Sequence, residues 1–134
     1  MRIRSKLRTR MLFGAAVMSA ITAFTPMSPA SAQNASWYYN VGGHAVAYGS
    51  FNGELKLAMV NDQYADSRSA VMRYKVGWSG AIHTLWDHDG AGNSGAVDTV
   101  NLPAGTTLYM KLCRGIYSSQ TLDGCEDSFT TVTG

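Results

Sequence analysis

The chain has 134 residues, with 11 Lys and Arg against 9 Asp and Glu and three His, a formal balance of +2. Five of the basic residues, Arg2, Arg4, Lys6, Arg8 and Arg10, fall within residues 1–32, which hold no acidic residue; the other 102 residues carry six basic against nine acidic side chains, about −3. That length leaves room for one hydrophobic core and not two, and the acidic balance argues against electrostatic binding to nucleic acid or to anionic membranes.

Those five basic residues precede the apolar run MLFGAAVMSAITAF and the tripeptide Ala30, Ser31, Ala32. This is the order of a secretory signal peptide, and cleavage is expected after Ala32. Thr9 separates Arg8 from Arg10, so the twin-arginine pair is missing and the general secretion route is expected. The apolar run falls short of the roughly 20 residues a membrane helix needs, and no later segment comes close. The expectation is a single exported domain over residues 33–134 with no membrane span.

In that domain apolar residues alternate with period two, the pattern of half-buried strands. WYYNV starts a first strand after the short lead-in QNAS. HAVAYGSF follows Gly42 and Gly43 and runs into Asn52-Gly53, a pair that predicts a type I′ hairpin turn into ELKLAMVN. In ELKLAMVN, Leu55, Leu57 and Met59 share one face and Lys56 and Ala58 the other. After the polar loop DQYADSR, SAVMRYKVGW places Ala70, Met72, Tyr74, Val76 and Trp78 on one face and Val71, Arg73 and Lys75 on the other. Ser79 and Gly80 turn the chain into AIHTLW, and AVDTVNL follows the segment WDHDGAGNSG. TTLYMKLCR sets Leu108, Met110 and Leu112 against Tyr109, Lys111 and Cys113, and DSFTTVT is a last strand. About eight short strands with Gly, Asn and Pro between them predict an all-β antiparallel sandwich, with a Greek-key barrel as the alternative.

Cys113 and Cys125 are an even count in an exported chain and predict one disulfide, closing the loop RGIYSSQTLDG. Loop-closure entropy gives such a bridge roughly 2–3 kcal/mol. Counted from Asp87, DHDGAGNSGAVD overlays a twelve-residue calcium loop, with Asp87 and Asp89 at positions 1 and 3, Gly92 at the bend and Asp98 at position 12. Ala91 stands where an oxygen ligand belongs, and strands flank the loop in place of helices. The segment therefore reads chiefly as a solvated connection, with a weak calcium site at Asp87, Asp89 and Asp98 as the alternative; no other cofactor is implied. His44, His83 and His88 lack the spacing of a zinc site, and no nucleophile elbow or H-E-x-x-H motif occurs, so no catalytic residue and no enzymatic activity is expected.

Aromatic side chains are numerous for about a hundred residues, and Tyr38 and Tyr39 must point to opposite faces of one strand. Exposed Tyr and Trp favour recognition, which makes Trp37, Tyr38 and Tyr39 candidate partner contacts. Arg114 and Tyr117, on the disulfide-closed segment, are candidates for the same role.

The signal peptide, the strand WYYNVGGHAVAYGSF, the WDHDGAGNSG loop and the ending LPAGTTLYMKLCRG with LDGCEDSFTTV together resemble small secreted actinobacterial single-domain β-proteins of unknown function. The resemblance covers most of residues 33–134 and implies one β-domain with a C-terminal disulfide; it carries over no site residue. In size, secretion and strand content the chain is also similar to small adaptor subunits of secreted toxin particles. The expected function is a secreted, non-enzymatic binding module that recognises a protein partner through a β-edge or an aromatic patch. The alternatives are an enzyme inhibitor or antibacterial toxin component acting through the disulfide-closed loop, and a calcium-stabilised extracellular module.

Overall fold

The alternation read from the sequence becomes two antiparallel sheets packed face to face. The computed structural model describes residues 33–134, and the expected signal peptide, residues 1–32, lies outside the described residues. These residues form nine strands: β1 (Ala35–Val41), β2 (His44–Asn52), β3 (Leu57–Asp62), β4 (Ser69–Val76), β5 (His83–Asp87), β6 (Ala96–Thr99), β7 (Thr107–Ile116), β8 (Thr121–Cys125) and β9 (Thr130–Thr133). The first sheet has the order β1-β2-β3-β6; the second has β5-β4-β7-β8, with β9 pairing the other half of β7 on the same side as β8. Among the described residues no helix is long and apolar enough to cross a membrane.

Ala47, Phe51, Ala58 and Val60 of the first sheet meet Ala70, Met72, Tyr74, Leu108, Met110 and Leu112 of the second in one core. Gly49 sets how closely the sheets approach. A Cβ there would stand 2.7 Å from Leu112 Cδ2 and 3.1 Å from Met72 Cε, both in fully buried side chains. Polar bonds tie the two sheets at their edges. Glu126 Oε1 accepts from the Trp37 indole N–H at 2.9 Å and from the Leu112 amide at 2.7 Å. On the opposite side the Tyr74 hydroxyl donates to Asp98 Oδ2 at 2.7 Å, and burial, then that carboxylate, push the phenol's pKa up.

Three local expectations change. The type I′ turn lies at Gly42-Gly43, where both φ values are positive (58° and 85°) and Val41 pairs His44. At Asn52-Gly53 side chains intervene: Asn52 Oδ1 accepts the Leu55 amide and Asn34 Oδ1 the Gly53 amide, and a longer loop ends at Lys56 with φ 56°. Leu55 is therefore in the loop and exposed, and β3 turns Ala58 and Val60 inward. The disulfide is present between directly opposed residues of β7 and β8, and the segment it closes is a hairpin, not a free loop. Its return strand, TLDGC, has too little apolar alternation to read as a strand. Asp87, expected in water, is 2% exposed because it ends β5 opposite Ala70 on the inward face.

Filling the Gly49 gap tests this packing. Gly49→Val is expected to lower unfolding stability by about 1–3 kcal/mol, as overpacked cores do, read as a lower urea midpoint at unchanged m value.

Candidate functional site

With Ala70, Met72 and Tyr74 inside, β4 presents Val71, Arg73 and Lys75 outward; with Leu108, Met110 and Leu112 inside, β7 presents Tyr109, Lys111 and Cys113. The β4–β7 register sets Arg73 opposite Lys111 and Lys75 opposite Tyr109. At one end this face is closed. Val71 and Cys113 are fully buried, Val71 is flanked by Trp86 on β5, and the Trp86 ring lies across Gly115, where a Cβ would meet it at 3.0 Å.

At the other end it is open and aromatic. Gly77, at φ 76°, ends β4, and a turn closed by the Gly80 amide on the Gly77 carbonyl carries Trp78 out of the strand. Gly80 is required because a Cβ would fall 2.2 Å from the Val76 oxygen. Trp78, 66% exposed, so joins the outer face and not the core side that strict alternation predicted. Its ring meets Tyr109 edge-on at 5.3 Å and Phe129 at 6.3 Å, and Tyr109 meets Phe129 at 5.9 Å. Lys75 Nζ lies 3.7 Å above the Trp78 ring centre, and Lys111 Nζ 4.5 Å from that of Phe129. Arg73, Lys75, Lys111, Ile82 and Phe129 also border a small cavity of about 40 Å³.

Among the described residues the charges on this face have no counter-ions. Arg68 and Arg114 pair with Asp123, and Arg114 also with Asp66. Lys56 donates to the Leu102 carbonyl. Among the described residues no acidic side chain forms an ion pair with Arg73, Lys75 or Lys111. Like charges facing each other across a ladder are unfavourable, so Arg73 and Lys111 stand together at a cost to the fold.

No protein-family profile, curated protein or solved structure matches the chain. The site rests on its own geometry.

The residues singled out in the sequence fall elsewhere. Trp37 and Tyr39 lean against the core, and only Tyr38 faces out, 55% exposed and packed on Tyr48 at 5.0 Å. Arg114 is held by Asp123 and Asp66; burial opposes its charge, but those bonds outweigh burial and raise its pKa. Tyr117 stays exposed at the tip of the β7–β8 hairpin, stacked on His88 at 3.8 Å. His44 and His83 likewise stack on Tyr64 and Tyr74, so each histidine lies against a tyrosine and none lies with another. Asp87 Oδ2 accepts the Asp62 amide at 2.7 Å, Asp98 is bonded to Tyr74, and Asp89 is exposed. The calcium-loop trio is not brought together, and among the described residues no three His, Cys, Asp or Glu side chains converge as a metal site would need. None of the residues of this face, Arg73, Lys75, Trp78, Tyr109, Lys111 and Phe129, was a candidate from the sequence; the outward alternation of Arg73, Lys75, Tyr109 and Lys111 is the signal from which the face could have been read.

A second polar feature is a cleft of about 390 Å³ between residues 62–69 and 88–91, lined by Asp62, Asp66, Ser67, Arg68, Ser69 and His88 among others. Asp62 is 3% exposed there. Burial first, then the Asp66 and Asp87 charges, push its carboxyl up to about 6 from 3.8, against an opposing bond from the Tyr64 amide. Folding thus favours the protonated form. The stability that follows is full below about pH 4 and is lost as pH rises through 6. Asp62→Asn is expected to raise stability at pH 7.5 by about 1–3 kcal/mol and to change little at pH 4, read from denaturation midpoints at both pH values.

Proposed function

We propose that the chain is exported and acts as a non-enzymatic binding module, docking a protein partner on the outer face of β4 and β7. The observation that carries this reading is the opposed pair Arg73 and Lys111, which with Lys75 stands free of acidic partners among Trp78, Tyr109 and Phe129. Half of the six basic residues in a net acidic domain occupy this one face. A partner surface with carboxylates beside apolar groups would relieve the repulsion and cover the exposed indole. Arg, Trp and Tyr are the side chains on which binding energy usually concentrates, and the cations would also steer encounter. Three rings packed edge to face give the patch a shape that loses little entropy on docking.

The test is capture from the producer's culture supernatant by immobilised residues 33–134. A specific partner is expected to bind about tenfold or more weakly to the Lys75→Glu/Lys111→Glu variant, and more weakly as salt rises from about 0.1 to 0.5 M, while Tyr38→Ala binds normally. Retention by the charge-reversed variant with loss by Tyr38→Ala would move the contact to the first sheet and refute the proposal.

A further inference from the structure

Asp62 and Asp87 are 3% and 2% exposed, the Asp62 backbone amide donates to Asp87 Oδ2 at 2.7 Å, and the Asp87 charge acts on the Asp62 carboxyl. Among the described residues no basic side chain forms an ion pair with either. Buried carboxylates without a cation are costly, and such sites are stabilised by bringing one in. Asp87 Oδ1 takes only a long contact, 3.5 Å, from the Asp89 amide.

Asp62 opens onto the cleft between residues 62–69 and 88–91. Its carboxyl is held by backbone amides alone, Oδ1 accepting the Tyr64 amide at 3.2 Å with the Gln63 amide as a second backbone donor. Ser69 lines the same cleft, is 8% exposed, and its hydroxyl is without a partner among the described residues. The other carboxylate on the wall is already engaged: Asp66 Oδ1 accepts the Arg68 amide at 3.0 Å and Oδ2 accepts from Arg114 Nη1 at 3.2 Å. A buried carboxylate without a paired cation and an unpartnered hydroxyl thus line a cavity whose 390 Å³ lies in the range of small-ligand sites.

We infer that this cleft is a binding site for a primary ammonium group, carried by a free alkylamine or by a lysine side chain, with Asp62 as counter-ion and Ser69 as hydrogen-bond acceptor. The ammonium has three donors and is compact enough for two oxygen acceptors at the base, while its alkyl stem would run outward past Ala65 and Ala91, which also line the cleft. The site is separate from the β4–β7 face, so either proposal can fail alone.

The experiment is an amide NMR titration of residues 33–134 at pH 7.5 with n-pentylammonium, with a pentapeptide bearing a central lysine, and with their neutral counterparts, 1-pentanol and the norleucine peptide. Saturable shifts confined to residues 62–69 and 88–91 are expected from one or both cationic probes, and which one binds tighter identifies the source. Asp62→Asn should weaken binding about tenfold or more and Ser69→Ala severalfold, the spectrum itself reporting that each variant is folded. Equal shifts from the neutral probes, no shifts from either amine, unchanged affinity in Asp62→Asn, or the same signals moved by calcium chloride and not by the amines would each overturn it.

Discussion

β4 and β7 pair from Ser69 opposite Gly115 to Val76 opposite Leu108, and this ladder decides both what is buried and what is displayed. A slip of one residue would exchange the two faces, since side chains alternate with period two. In the register observed, Met72, Tyr74, Met110 and Leu112 enter the core and Arg73, Lys75, Tyr109 and Lys111 leave it. The hydrophobic effect fixes the register through the first set. The second set follows, and its mutual repulsion is carried by the core on the other side of the same strands.

The rest of the molecule is arranged around that ladder. β7 is long enough to pair β4 throughout and, on its other edge, β9 and then β8 in turn. The disulfide clamps the β8 half, and the Arg68, Arg114, Asp66 and Asp123 network binds that hairpin to the loop before β4. Burial alone would raise the Asp123 carboxyl, but Arg68 and Arg114 outweigh it and hold the pKa below its usual value. Arg68 and Arg114 are thereby spent on structure. Arg73, Lys75 and Lys111 are left where no acidic side chain of the described residues pairs with them, and Lys75 and Lys111 lie instead over the rings of Trp78 and Phe129.

The alternation of short apolar residues made the strands, the all-β class and the outward cations legible from the sequence, and the spacing of Cys113 and Cys125 pointed to the bridge. What stayed hidden depends on contacts distant in sequence. TLDGC is a strand only because β7 and Cys113 lie beside it. Trp78 leaves the alternating pattern because Gly77 takes a positive φ and Gly80 closes the turn. The WDHDGAGNSG segment looked like one polar unit, yet Asp87 belongs to a buried strand end and bonds the Asp62 amide. Its remaining part folds on itself, Asn93 donating to the Asp89 and Gly90 carbonyls. Trp37 read as a surface contact because nothing local reveals that Glu126, 89 residues away, receives its indole N–H.

The claim that the outer face keeps like charges together against the interest of the fold is tested most directly by a double-mutant cycle on Arg73 and Lys111, with Arg73→Thr, Lys111→Thr and the pair compared by urea unfolding at low and high salt. Repulsion predicts that either single substitution stabilises the domain, and that the cycle yields an unfavourable coupling of about 0.2–1 kcal/mol that shrinks as salt rises. A coupling of zero, or a favourable one indifferent to salt, would contradict it.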